Sequence, residues 1–275
     1  MKFTKMQATG NDFVLIEAGA MKHDWPKLAR AMCDRHFGVG SDGLILVLPS
    51  KLADVKMRMF NPDGSEAEAC GNGLRCVGRY VLDKGLAKAD SEFRVETKGG
   101  IRTVKAAANG MQVGMGMPRF KPEEIPMRPE SKLDIIMDYP VTVNGTNLLL
   151  TCLSMGNPHA VFFTETEVEK FPLATVGPQV ENHPIFPNRV NFEIANVLEQ
   201  NRIKIRVWER GAGETLSCGS GACAVAVSAR VHGYVGSHTD IILPGGTLAI
   251  DWDGVGEVML TGPAQLVFCG EWPGC

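Results

Sequence analysis

Cys70 and Cys218 each stand directly before a Gly-x-Gly turn that opens a helix-forming run, in Ala69-Cys70-Gly71-Asn72-Gly73 and Ser217-Cys218-Gly219-Ser220-Gly221. A sulfur at a helix N-terminus lies beside N–H groups that lack an intrahelical acceptor, and beside the positive end of the dipole, roughly half an elementary charge. That position favours the thiolate and lowers the thiol's pKa below its free value of about 8.5, making the sulfur a usable base near neutral pH. Two such thiols in one chain predict proton transfer.

The surroundings of the cysteines repeat with them. They lie 148 residues apart (218 − 70), and at the same offset Met57-Arg58-Met59-Phe60-Asn61 aligns with Ile205-Arg206-Val207-Trp208-Glu209. Gly10-Asn11-Asp12, ahead of the apolar run Phe13-Val14-Leu15-Ile16, matches Gly156-Asn157-Pro158 ahead of Ala160-Val161-Phe162-Phe163. A repeat this long indicates two homologous domains, since solenoid units recur roughly every 20–50 residues. The expected division is residues 1–117 and 118–262, with 263–275 returning to the first domain, where the apolar stretch 264–268 reads as a strand.

Other polar residues recur around the cysteines. Asn11 and Asn157 hold corresponding places, as do Asn61 and Glu209, and Asn191 and Arg210 complete the set. Singly, each Asn reads as a turn or cap residue. Together they suit a zwitterion, with Arg210 offering a bidentate fork to a carboxylate and Glu209 a partner to an ammonium. Core filling is the commoner fate of a cysteine, and it is the expectation for Cys33, Cys76, Cys152, Cys223, Cys269 and Cys275. A filler has no reason to recur at a helix entrance in both halves, which sets Cys70 and Cys218 apart.

The elements that must carry these residues are mostly strands. β-rich runs occupy 13–16, 44–48, 55–60, 103–107, 141–143, 160–163, 203–208 and 255–260. Helical patterns occupy 25–33, 74–84 and 222–232, the last two stopped by Gly85 and Gly233. The expected fold is α+β, with two pseudo-symmetric domains, each a curved mixed sheet or barrel wrapped around a central helix.

Composition narrows the partners. The net charge of −3 without basic blocks opposes a nucleic-acid surface, which needs clustered Lys and Arg. No apolar stretch approaches the length of a membrane span, and the opening Met1–Met6 stretch has no apolar leader core. Eight cysteines in a chain of 275 residues fit a reducing cytoplasm better than a disulfide framework. The histidines are scattered, with neither His-x-x-x-His nor His-Glu-x-x-His, so no metal is expected. Gly38-Val39-Gly40-Ser41-Asp42-Gly43 leads into a strand and reads as a turn rather than a phosphate cradle.

Taken together, Thr9-Gly10-Asn11-Asp12-Phe13, Phe60-Asn61-Pro62-Asp63-Gly64-Ser65, the two cysteine segments, Gly156-Asn157-Pro158-His159, Asn188-Arg189-Val190-Asn191-Phe192, Trp208-Glu209-Arg210-Gly211 and Glu214-Thr215 resemble the diaminopimelate epimerase family essentially end to end. The resemblance implies an isomerase that interconverts LL- and meso-2,6-diaminopimelate, in lysine and peptidoglycan-precursor synthesis, with no cofactor and as a homodimer. It implies Cys70 and Cys218 as the acid–base pair. It implies Asn11, Asn61, Asn157, Asn191, Glu209 and Arg210, with the backbone amides of Gly71, Asn72, Gly219 and Ser220, as substrate-binding, and His159 and Glu209 as tuning the thiols. Two departures are visible: Gly43 replaces a Gln found in some relatives, and Gln7-Ala8 stands where a His-Gly pair is common. A proline racemase-like enzyme is the nearest rival reading, and a non-catalytic amino-acid-binding or thiol-redox protein the rival from another class. The second lacks a Cys-x-x-Cys motif.

Overall fold

A computed structural model describes residues 1–68, 70–87 and 92–273. The fold is α+β, and the chain forms two compact units: Met1–Gly114 with Thr261–Cys275, and Met115–Leu260. These boundaries fall a few residues before those expected from sequence.

In chain order the first unit contains β1 (Lys2–Ala8), β2 (Asn11–Glu17), α1 (Trp25–Cys33), β3 (Gly43–Leu48), β4 (Val55–Phe60), β5 (Glu66–Ala67), α2 (Gly71–Asp83), β6 (Phe93–Thr97), β7 (Gly100–Ala107) and β8 (Gly110–Gly114). The second contains β9 (Ile136–Val143), β10 (Thr146–Ser154), β11 (Pro158–Phe163), α3 (Leu173–Glu181), β12 (Asn191–Glu199), β13 (Arg202–Glu209), β14 (Gly213–Thr215), α4 (Gly219–Val231), β15 (His238–Leu243) and β16 (Gly246–Asp251). After β17 (Met259–Gly262), β18 (Gln265–Glu271) pairs antiparallel with β1.

The strands of the two units pair by one plan. In the first, β1 pairs antiparallel with β2, β2 parallel with β3, β3 antiparallel with β4, β4 parallel with β6, and β6–β7–β8 continue antiparallel. In the second, β10, β11, β12, β13, β15 and β16 repeat the same sequence of senses. Register is preserved too: Phe13 sits opposite Gly43 and His159 opposite Asn191.

The parallel pairs β2–β3 and β11–β12 are covered on both faces and carry near-continuous buried runs, whereas β4, β13, β15 and β16 alternate between buried and half-exposed positions. Leu44, Leu46 and Phe60 face the α1 side with Trp25, Ala29 and Met32, and Phe192 and Ile194 face the α3 side with Leu173, Val176 and Val180. On the opposite face α2 packs against β1, β2, β4, β7 and β8, and α4 against β10, β11, β12, β13, β15 and β16. Helix α4 is apolar all round, with Ala222 through Ala229 buried, as suits a helix enclosed by a sheet. Gly85 and Gly233 take the left-handed conformation just past the helix ends, as expected.

Two expectations need correction. Helices α2 and α4 start three residues earlier than the sequence pattern suggests, because the Gly-x-Gly segments are themselves the first helical turn. The run 255–260 is strand only at its end: Asp253 accepts from the N–H groups of Val255 and Gly256 to form a turn, and β17 begins at Met259. Helix α3 is an element beyond those the sequence pattern marks: Pro172 stands at its N-cap, Pro178 lies inside it, and Gly177 lies against the Trp208 ring. Cys275 lies outside the described residues.

At the entrance of β2, the buried Lys5 ammonium pairs with Asp12 at 2.6 Å and also donates to the Gly40 carbonyl, while Arg35 bridges Asp12 and Asp42. Burial works to raise the Asp12 carboxyl, but the hydrogen bonds from Arg35 and Lys5 outweigh it and hold the group below its ordinary value. Asp12→Ala strands a buried ammonium, which costs about 3 kcal/mol when one partner of a buried pair is removed. A lowered carboxylate stabilises fully at neutral pH and loses that contribution as pH falls through the lowered value. We expect Asp12→Ala to have a lower urea midpoint than wild type at pH 7, and the two midpoints to converge in acid.

Candidate active site

Both cysteines are helix N-caps. Cys70, with extended backbone (φ −144°, ψ 117°), accepts at Sγ from the Gly73 N–H at 3.5 Å. Cys218 (φ −121°, ψ 111°) accepts from the Gly221 N–H at 3.4 Å. A sulfur replaces the usual Ser, Thr, Asp or Asn oxygen of a cap and captures the third-residue N–H in the same way. Gly71 and Asn72, and likewise Gly219 and Ser220, supply the other first-turn N–H groups, in the part of a helix that attracts anions. Ala69 lies outside the described residues.

In the first unit Asn11 stands at the start of β2. Its Nδ2 donates to Asp42 Oδ2 at 2.7 Å, and its Oδ1 accepts from Asn72 Nδ2 at 3.1 Å. Asp42 is in turn held by Arg35 at 2.7 Å. A carboxylate thus fixes an asparagine against the second residue of the thiol-capped helix. Asn61 lies in the turn after β4, where its N–H donates to the Ser65 carbonyl at 2.8 Å and its side chain to the Ser65 hydroxyl at 2.9 Å.

The second unit uses the same plan with different groups. Asn157 Nδ2 donates to Ser220 Oγ at 3.3 Å, His159 Nε2 lies 3.0 Å from Asn157 Oδ1, and His159 Nδ1 lies 2.7 Å from Glu193 Oε1. Ser220 Oγ lies 3.5 Å from the Cys218 sulfur. Glu209, at the end of β13, accepts from the Thr215 hydroxyl and bonds to Cys218. Asn191 is turned to the backbone, its Nδ2 donating to the Pro158 carbonyl at 2.8 Å and its Oδ1 accepting the Arg210 N–H at 2.9 Å. It therefore fixes the chain on which Arg210 stands. The exposed Arg210 guanidinium donates to the Asn188 carbonyl at 3.0 Å.

Burial dominates the electrostatics of Cys218. Burial pushes its thiol well above the ordinary value, the charges of Glu209 and Glu193 push the same way, and the bonds from Ser220 and Gly221 are too weak to compensate. The helix N-terminus alone does not make this sulfur a resting thiolate. Burial also raises the Glu209 carboxyl, against the bonds from Thr215 and Cys218. Glu209 thus stands in hydrogen-bond contact with the thiol. Cys76 and Cys223 are buried as core fillers, and burial takes the Cys76 thiol up to about 12. Cys33 and Cys152 are buried too, whereas Cys269 is exposed on β18.

Sequence reasoning missed Glu193 and Asp42. Asp42 sits in a glycine-rich segment that reads as a turn, and Glu193 is one acidic residue in an apolar strand whose partner lies 34 positions away. Among the described residues, no three His, Cys, Asp or Glu side chains are grouped to hold a metal ion, and no helix is long and apolar enough to cross a membrane.

The profile of the family described as diaminopimelate epimerase matches residues 3–121 and 151–267. A diaminopimelate epimerase of Moorella thermoacetica is 49% identical over 281 residues, covering 99% of each chain. The enzyme of the same name from Pelotomaculum thermopropionicum is 47% identical over 281 residues, again covering 99% of each. Among solved structures, a hydroxyproline epimerase from Agrobacterium vitis superposes with a TM-score of 0.70 at 15% identity, over 98% of this chain and 91% of that one, a likeness of fold.

A Cβ on Gly221 would stand 2.8 Å from Glu193 Oε1 and 3.3 Å from the Cys218 sulfur, whereas one on Gly73 would meet the side-chain ends Met57 Cε at 2.9 Å and Ile45 Cδ1 at 3.0 Å. Methyl groups on flexible side chains move aside more readily than a carboxylate fixed by a histidine. We expect Gly73→Ala to fold and retain measurable turnover, and Gly221→Ala to lose the larger share of activity, as steady-state kinetics and thermal melts will show.

Proposed function

The chain belongs to the diaminopimelate epimerase family, and on that premise we propose that it interconverts LL- and meso-2,6-diaminopimelate by a two-base mechanism with Cys70 and Cys218 as the acid–base pair. The observation that carries this reading is the matched pair of helix-capping sulfurs, one in each unit, each beside an asparagine anchored through a carboxylate. An α-hydrogen beside a carboxylate is only weakly acidic, so inversion needs a base on one face of the carbon and an acid on the other. One sulfur, as thiolate, takes the proton; the other, as thiol, delivers one, and the roles exchange in the reverse direction. The first-turn N–H groups at Gly71, Asn72, Gly219 and Ser220 are suited to bind the reacting carboxylate and to stabilise the enolate-like charge that develops on it. That stabilisation takes the place of a cofactor's electron sink.

The raised Cys218 thiol supports its resting role as the acid, set by Glu209 beside it and by His159 through Asn157 and Ser220. Asn11 and Asn157 are placed to orient substrate at the helix entrances, with Asn61 and Arg210 offering further polar contacts and Asn191 holding the Arg210 backbone. The enzyme works in the cytoplasm, where its thiols stay reduced, on a small molecule rather than on nucleic acid or membrane. It works as a homodimer, a reading supported by the exposed apolar residues Leu266, Val267 and Phe268 of β18.

Cys70→Ala and Cys218→Ala should each nearly abolish epimerisation while the protein stays folded, and Cys76→Ala and Cys223→Ala should keep most of it. Wild-type turnover by a folded Cys70→Ala protein would overturn the mechanism. Arg210→Lys keeps the charge and loses the planar fork. We expect it to raise KM for diaminopimelate by about ten-fold, equivalent to roughly 1.4 kcal/mol of lost contact, and the wild type to leave proline essentially unracemised.

A further inference from the structure

Glu181, the last residue of α3, is buried, and its carboxylate gathers three donors from two other segments. Trp208 Nε1 and the Gly211 N–H, on either side of Arg210, each donate at 2.8 Å, and Arg189 Nη1, beside Asn188, donates at 3.1 Å. The same two segments hold Arg210 directly, its N–H on Asn191 and its guanidinium on the Asn188 carbonyl. One turn earlier on α3, Gly177 makes room for the Trp208 ring: a Cβ there would stand 2.6 Å from Trp208 Cγ. A carboxylate at the last position of a helix meets the negative end of the dipole, and burying it is costly unless it is hydrogen-bonded. Its presence calls for a use.

The fold closes the same corner of the first unit without a charge. Helices α1 and α3 both have nine residues and start 148 positions apart (173 − 25), so Glu181 corresponds to Cys33. At that offset Arg189 corresponds to Ser41, Trp208 to Phe60 and Arg210 to Pro62. Cys33 accepts from the Ser41 hydroxyl at 3.2 Å, as Glu181 accepts from Arg189. The carboxylate and its indole donor thus accompany the arginine.

We propose that Glu181 is a positioning residue that acts through Arg210, clamping the turn after β13 so that the guanidinium is set to receive the carboxylate of diaminopimelate remote from the reacting carbon. This rests on the epimerase reading above. Asn191 fixes the N–H of Arg210 and Glu181 the N–H of the next residue, so the backbone is held on both sides of the Arg210 side chain. Through Arg189 the same carboxylate also holds the segment whose Asn188 carbonyl takes the guanidinium. A planar fork fixed at its base and at its tip has less freedom to lose when it meets a carboxylate, and that saving appears as affinity.

Glu181→Gln keeps the length and shape of the side chain but turns an amide N–H towards a donor that an oxygen now accepts. We expect KM for diaminopimelate to rise about ten-fold with kcat within about two-fold of wild type, the pattern of lost binding rather than lost chemistry. Because the effect passes through Arg210, the double variant Glu181→Gln with Arg210→Lys should also show about a ten-fold rise, whereas independent effects would multiply to about a hundred-fold. A wild-type KM in Glu181→Gln, a kcat loss at unchanged KM, or multiplied effects in the double variant would overturn the proposal. Should Glu181→Gln not fold, hydrogen exchange in the wild-type protein, followed by ¹⁵N NMR, decides: the Trp208 indole and Gly211 amide protons are expected to exchange slowly, and exchange as fast as that of exposed groups overturns the clamp. A wild-type protein inactive on diaminopimelate would instead defeat the epimerase reading, and the same exchange measurement then judges the clamp by itself.

Discussion

The structure depends on a sulfur capping a helix, twice. Each cap needs extended backbone at the cysteine and a third residue close enough to donate its N–H to the sulfur, and both third residues are glycines pressed against a strand, Gly73 on Ile45 and Gly221 on Glu193. That close approach fixes each helix N-terminus against the sheet. The sheet can hold the helix there only by covering it from several strands, which explains the almost entirely buried, alanine-rich α4. The asparagines at the starts of β2 and β11 then meet the second residue of their helix, Asn72 or Ser220. Fold and site are one arrangement: the helices that complete the cores also present the chemistry.

Duplication sets the scaffold, and side-chain divergence sets the difference between its halves. Strand senses and register repeat, but Phe13 gives way to His159, Ile45 to Glu193 and Asn61 to Glu209. A reversible epimerase with one group on each face has no need for the two groups to be equal, because one must rest as acid while the other rests as base. Burial and two nearby carboxylates push the Cys218 thiol up, against its place at a helix N-terminus.

Much of this was legible in the sequence because it repeats. The cysteine segments, the asparagine pair, the strand 55–60 and the helix over 25–33 follow from motif, offset and periodicity alone. What was not legible depends on contacts distant in sequence. The Glu193–His159 contact joins two strands, and Glu193 read alone is an acidic interruption in an apolar run. Helix α3 was hidden by Pro172 and Pro178, whose breaker character is harmless at a cap or where a neighbouring element supports the turn. The environment of Cys218 was not legible because the N-terminal position of a thiol can be read from sequence whereas its burial cannot.

The central claim is that two different groups handle the hydrogen on the two faces of one carbon. The most direct test runs the wild-type enzyme in D₂O on LL-diaminopimelate and measures deuterium at the α-carbon of each isomer at early conversion. Two thiols predict that the meso product carries solvent deuterium at the inverted centre while the remaining LL substrate stays protonated, because the incoming hydrogen comes from the opposite sulfur. Meso product that retains the substrate's own hydrogen would show a single base returning what it removed, and would contradict the account.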